Sequence, residues 1–267
     1  MSIDAHYPLT ARQIEFFQDH GFIKLKQVLA PPDLEFYGRE LTRLTLELNT
    51  QTQPLEQRST YDKAFLQVWN LWEMSAIARQ FVFSQRLARI ATELLQVEGV
   101  RLYHDQALFK EPHGGMTPAH CDQYYWPLSN HNTVTVWAPL QAVPLEMGPL
   151  AFYSGSHRLN IGRNLEISDQ SESAIRTHME TLRIPLIEEP FDLGEVSFHR
   201  GWTFHRARAN STPNLRAAMT VIYMDQAMRL VQPANAHQQN DWDKWCPGAE
   251  VGKIIDTPRN PVLYPLP

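Results

Sequence analysis

"MTPAHCDQYYWPL", residues 116–128, sets His120 and Asp122 two positions apart inside an apolar and aromatic run. On a strand, side chains alternate between faces, so residues at i and i+2 point the same way, about 7 Å apart at Cα. A neutral imidazole and a carboxylate on one face either solvate each other or share a metal ion. Read as a strand, this stretch makes the middle of the chain β-structure, and the sequence around it agrees. "VRLYHDQALFK" (100–110), "TVTVWAPLQAV" (133–143), "LAFYSGS" (150–156), "EVSFH" (195–199) and "RAAMTVIYMD" (216–225) are short strand-like runs punctuated by Pro, Gly and Asn. Residues 159–185 are polar and read as an insertion between strands, and residues 226–267 read as an irregular covering tail.

The first hundred residues have a helical texture. "LTARQIEFFQDHG" (9–21) carries Thr10 as N-cap, Gln13 at the capping-box position and Gly21 as the stop. "FIKLKQVL" (22–29) alternates like a half-buried strand, and a second helix starts at Pro31 and Pro32. Within residues 74–96, which hold one or two further helices, Leu87, Ile90, Ala91, Leu94 and Leu95 make one apolar stripe. Trp69 and Trp72 are most simply helix-packing residues. Helices first and short strands later predict a mainly β protein with flanking helices, a helical layer on an antiparallel sandwich or barrel. A single domain is expected, with a helical part (1–98), a β core (99–226) and the tail (227–267).

Composition sets the outer limits. The 267 residues are 43% hydrophobic and 20% charged, ordinary for a globular protein long enough to bury a large core. A formal charge of −5 argues against a general nucleic-acid or anionic-membrane surface. The two cysteines, Cys121 and Cys246, have no zinc spacing and fit a reducing compartment. No secretory signal and no membrane-length apolar run is visible, so a cytoplasmic protein is the expectation.

A metal site needs a third ligand from elsewhere in the fold. His205, in "EVSFHRGWTFHRARANSTPNLRAAMTVIYM" (195–224), is the candidate, with His199 as a substitute. A hairpin centred between Asn210 and Ser211 would set Arg216 opposite His205. A buried arginine beside a metal is costly unless an anion lies between them, which points to a bound carboxylate. Two histidines and one carboxylate suit Fe(II) in oxygen chemistry, with positions left for a 2-oxo acid and O2. A second pair, His178 and Glu180, lies in the polar insertion and reads as solvated. His104 and Asp105 are adjacent and face opposite ways on a strand. Cys121 faces away from His120 and Asp122, and His157 reads as a turn or strand-end residue.

Several motifs together resemble the phytanoyl-CoA dioxygenase family of Fe(II)/2-oxoglutarate-dependent oxygenases, over about residues 10–226. They are "HGFIKLKQVLAPPDL" (20–34), "KEPHGGMTPAHCDQ" (110–123), "GPLAFYSGSHR" (148–158), and an arginine eleven residues after His205. The resemblance implies a double-stranded β-helix (jelly-roll, cupin-like) core packed against the N-terminal helices. It implies Fe(II) held by His120, Asp122 and His205, and 2-oxoglutarate held by Arg216 with help from Lys110 and Gln123. Tyr124, Tyr125 and Trp126, which follow the motif, read either as the lining of a substrate pocket or as ordinary core aromatics. The reaction that the resemblance implies consumes O2 and 2-oxoglutarate, hydroxylates a C–H bond of a small-molecule substrate, and releases succinate and CO2. Related halogenases lack the carboxylate, so Asp122 favours hydroxylation, desaturation or ring formation. One departure is Ala207, where the family often has a hydroxyl residue. The alternatives are a cupin-like isomerase or lyase without 2-oxoglutarate, for which Arg216 has no use, and a catalytically inert jelly-roll binding protein.

Overall fold

A computed structural model describes residues 3–266. Helix α1 (Ala11–His20) is bounded as its caps dictate. The Thr10 hydroxyl accepts from the Gln13 amide, the Gln13 side chain accepts from the Thr10 amide, and Gly21 ends the helix at φ 77°. Strand β1 (Phe22–Leu25) follows, then α2 (Pro31–Leu48), α3 (Thr60–Ala64), β2 (Leu66–Trp69), α4 (Ala76–Val82) and α5 (Gln85–Leu95). The apolar stripe on α5 is buried in full. Trp69, expected to pack between helices, instead lies on β2, because that short run pairs antiparallel with the next strand.

The chain then winds between two sheets. Strands β3 (Val100–Phe109), β4 (Thr117–His120), β5 (Thr133–Pro139) and β6 (Leu150–Tyr153) precede α6 (Asp169–Thr181). After it come β7 (Leu186–Ile187), β8 (Val196–Arg200), β9 (His205–Ala207), β10 (Ala218–Asp225), α7 (Ala236–Trp245) and β11 (Val262–Tyr264). One sheet runs β1-β8-β5-β10-β3-β11, with β2 also on β3; the other runs β4-β9-β6-β7. Crossing repeatedly from one sheet to the other gives the double-stranded β-helix with flanking helices.

β5 is buried at every position. Val134, Val136 and Ala138 join the large apolar cluster beneath the helices, while Thr135 and Trp137 face a cavity between the sheets. The polar insertion holds α6, capped by Ser168, and this helix braces the smaller sheet. Ser171 donates to the Ala119 carbonyl at 2.9 Å, Glu172 accepts from the Ala119 amide at 2.8 Å, and Arg206 of β9 pairs with Glu172 at 2.6 Å. The tail is not irregular throughout. It supplies α7 and an edge strand, because Trp245, Leu230, Met228 and Ile255 bury themselves against Tyr103, Trp126 and Ile222.

Gly21 couples the first helix to the β core. A Cβ there would lie 2.3 Å from His157 Nδ1 and 2.7 Å from Thr203 Oγ1, on a backbone with φ +77°. Gly21→Ala is therefore expected to cost about 3 kcal/mol of stability, left-handed strain and overlap combined. Urea unfolding checks this, and a midpoint within error of the wild type would contradict it.

Candidate functional site

His120 ends β4, and Asp122 opens a short 3-10 turn spanning Asp122–Tyr125. The strand ends at His120, but Cys121 keeps an extended backbone (φ -129°, ψ 139°), so the two side chains leave the chain on the same side, as residues two apart in an extended segment do. His205 starts β9, where it pairs with His120 across one ladder and Phe152 across the other.

Each histidine is oriented by its own backbone. His120 Nδ1 lies 2.8 Å from the Pro118 carbonyl, and His205 Nδ1 lies 3.0 Å from the Thr203 carbonyl. A carbonyl can only accept, so Nδ1 carries the proton in both and each Nε2 keeps a lone pair. Those two atoms lie 3.7 Å and 3.5 Å from Asp122 Oδ1. Ligand atoms of the three residues all fall within 4.8 Å of one another. Asp122 Oδ2 is taken up otherwise: Thr135 Oγ1 donates to it at 2.9 Å, and His199 Nε2 at 3.1 Å. Two free imidazole nitrogens and one carboxylate oxygen, buried together, are a donor set that fits a divalent transition metal.

The electrostatics follow from burial and proximity. Burial opposes ionisation of Asp122, but His205, His199 and His120 outweigh it and hold its carboxyl well below the usual range. Burial pushes the His120 imidazole down, and His205 further, the latter with help from His120 beside it. All three groups are thus in the protonation states a metal ligand requires.

His199, considered above as a substitute ligand, stands on β8 with its Nε2 committed to Asp122 as a donor. Sequence reading missed this role and that of Thr135, although both lie on the cavity-facing period of their strands. His199→Gln is expected to weaken metal binding by about 10–100-fold, as loss of a carboxylate's supporting donor does elsewhere. Titration with Fe(II) under nitrogen reads it, and unchanged affinity would show that Asp122 needs no such support.

The hairpin pairing of His205 with Arg216 is also corrected. β9 and β10 belong to different sheets, and Arg216 forms a bridge with Lys110, amide to carbonyl at 2.9 Å both ways. Arg216 still faces the cavity that holds His120, Asp122 and His205. Its guanidinium donates to the Gly148 carbonyl at 2.9 Å and the Leu108 carbonyl at 3.2 Å, lies over the Trp137 ring at 5.4 Å, and leaves its buried Nε unpartnered. Lys110 is fully buried and donates to the Gly115 carbonyl and, at 3.4 Å, to Thr117. Burial, then the Arg216 charge, pushes the Lys110 amine well down; burial alone lowers Arg216 to about 10.

The cavity encloses about 460 Å³. Tyr125 and Trp126 line it, while Tyr124 and Gln123 do not. Gln123 is a buried strut: it accepts from Thr133 at 2.5 Å and donates to the Asn130 carbonyl at 3.3 Å, because the turn after Asp122 points it into the sheet end. Tyr124 packs toward α6 in the cluster that also takes Cys121. His104 lines the cavity, whereas Asp105 turns away and accepts from the Leu71 amide at 3.0 Å. His178 and Glu180 lie on α6, apart from the site. Among the described residues no helix is long and apolar enough to cross a membrane.

Known proteins resemble this arrangement. An ectoine dioxygenase of Streptomyces anulatus is 26% identical over 162 residues, 58% of this chain and 54% of that protein. The chain thus spans about half the length of that curated relative. The epimerase SnoN from nogalamycin biosynthesis, solved with Fe3+, alpha ketoglutarate and nogalamycin RO, superposes with TM-score 0.78 at 23% identity, covering 94% of this chain and 97% of SnoN. The carbocyclase SnoK from the same biosynthesis gives 0.76 at 22%, covering 95% and 96%. These structural likenesses show a shared fold. The family profile described as Phytanoyl-CoA dioxygenase (PhyH) matches residues 17–218, about three quarters of the sequence, so the chain belongs to the phytanoyl-CoA dioxygenase family.

Proposed function

We propose that the protein is an Fe(II)/2-oxoglutarate-dependent dioxygenase that hydroxylates a C–H bond of a small organic molecule. His120, Asp122 and His205 hold the iron in this reading. The observation that carries it is Arg216: buried at 2% exposure, without an ion-pair partner among the described residues, with the buried amine of Lys110 behind it. A guanidinium kept there at one end of a cavity is costly unless an anion joins it. A dicarboxylic cosubstrate answers that need: Arg216 would hold its far carboxylate, leaving the 2-oxo acid end for the metal that His120, Asp122 and His205 would hold. A metal isomerase or lyase without a 2-oxo acid gives Arg216 nothing to do, and an inert binding protein gives the three converging ligands nothing to do.

When bound, iron and 2-oxoglutarate supply the oxidising power: O2 puts one oxygen atom into succinate, formed with CO2, and the other into the substrate. The chain supplies position and dryness. His199 and Thr135 hold Asp122 so that Oδ1 faces the two imidazoles. Trp137, Leu108, Leu150 and Ala207 wall the Arg216 end of the cavity with apolar surface. The hydroxyl absent at Ala207 has a neighbour in Thr117, its partner across the β4–β9 ladder, which also lines the cavity. Lys110 donates to Thr117 from behind.

The test is succinate release from 2-oxoglutarate with Fe(II), ascorbate and air, screened over small metabolites, paired with the visible absorption of the anaerobic Fe(II)/2-oxoglutarate protein. Iron- and oxygen-dependent succinate and a charge-transfer band are expected. Absence of both would overturn the reading.

A further inference from the structure

The cavity is electrically lopsided. Arg216 stands at one end, and at the other α7 contributes Asp241, 9% exposed and lining the wall. Among the described residues this carboxylate has no ion-pair partner. The Tyr103 hydroxyl donates to Oδ2 over a long 3.4 Å, the Trp245 indole also bonds to it, and Lys244 acts on it from the exposed rim without pairing. Burial pushes its carboxyl up to about 7 despite these three groups. The nearby His104 brings no compensating charge, because burial lowers it to about 4.

Aromatic rings crowd the same place. Trp69 and Trp245 lie 6.3 Å apart, His104 stacks on Trp245 at 4.6 Å, and Trp126 meets Tyr103 at 5.5 Å. Tyr61, bonded to Gln67 at 2.9 Å, is close enough to feel the charges of both Asp122 and Asp241. It lines the cavity together with Asp122 and Asp241. α7 itself lies beyond the stretch matched by the family, residues 17–218.

We infer that this end of the cavity is a cation subsite, in which Asp241, beside the Trp126 and Trp245 rings, takes a positively charged nitrogen of the substrate. A carboxylate held in an aromatic box is the complement of an amine or quaternary ammonium group, because ring faces and carboxylate attract the same charge. A polyol could satisfy the carboxylate but gains nothing from ring faces as an ion does. Held there, the substrate spans Tyr61 and His104 and presents its carbon skeleton toward Asp122. The inference deepens the oxygenase reading and rests on it only for what happens after binding.

The test uses the full chain loaded with Fe(II) and 2-oxoglutarate under nitrogen, and reads ligand affinity by calorimetry. Paired probes differ in charge alone or nearly so: choline against 3,3-dimethylbutan-1-ol, and phenethylamine and putrescine each against its N-acetyl derivative. The cationic member of at least one pair is expected to bind tenfold or more tightly, with the preference lost in Asp241→Asn and kept in Asp241→Glu. For a cationic substrate, Asp241→Asn is expected to raise KM at least tenfold with kcat changed by less than threefold. Neutral members binding as well as cations in the wild type would overturn the cation subsite, whatever the variants do. So would a preference undiminished in Asp241→Asn. Succinate released without any amine substrate keeps the oxygenase reading alive if the cation subsite fails, whereas amine binding without succinate fails the oxygenase reading alone.

Discussion

His205→Ala is expected to abolish succinate release and to weaken Fe(II) binding by more than about 100-fold. The bound is set by outer partners of metal ligands, whose loss alone costs about 10–100-fold; removing a ligand atom costs more. Among the described residues, His205 Nε2 is one of two imidazole nitrogens facing Asp122 Oδ1 with its lone pair free. Its removal leaves one imidazole and one carboxylate, too few to hold iron against water. The fold is expected to tolerate the change, since the ring borders an existing cavity and its only hydrogen bond runs to the Thr203 carbonyl. Paired Fe(II) titration and turnover on His205→Ala and His199→Gln separate ligand from support. If His199→Gln lost metal while His205→Ala kept it, the centre would have to be rebuilt around His199.

Arg216→Leu is expected to raise KM for 2-oxoglutarate by roughly 30- to 4,000-fold, the equivalent of the 2–5 kcal/mol lost when one partner of a buried charge pair is removed. Iron affinity should stay within a few-fold of the wild type, because the ligand set is untouched. Leucine also strands the Gly148 and Leu108 carbonyls, so lower stability is expected alongside. Arg216→Lys controls for charge. It keeps the cation and loses the planar fork, and is expected to recover only part of the affinity. Lys110→Met should cost less than Arg216→Leu, since the amine is already engaged with Gly115 and Thr117. An unchanged KM in Arg216→Leu would place the cosubstrate carboxylate elsewhere in the cavity.

The sequence by itself determined what depends on near neighbours. Thr10, Gln13 and Gly21 bound the first helix because caps act within four residues. The stripe from Leu87 to Leu95 marked a buried face because 3.6-residue periodicity is local. The motif around His120 and Asp122, with His205, named the three side chains that meet. Which strands pair was decided only in three dimensions. A turn at Asn210 fits a hairpin locally, yet burying Ala207 in one sheet and Ala218 in the other draws the chain across the sandwich, so Arg216 bridges Lys110. Gln123 and Tyr124 look like pocket residues until the 3-10 turn rotates them out, and Thr135, Tyr61 and Asp241 look unremarkable until distant strands and α7 bring them to the cavity. Local rules fix dihedral angles and faces; the choice of partner is fixed by apolar burial summed over the whole chain, which no short window contains.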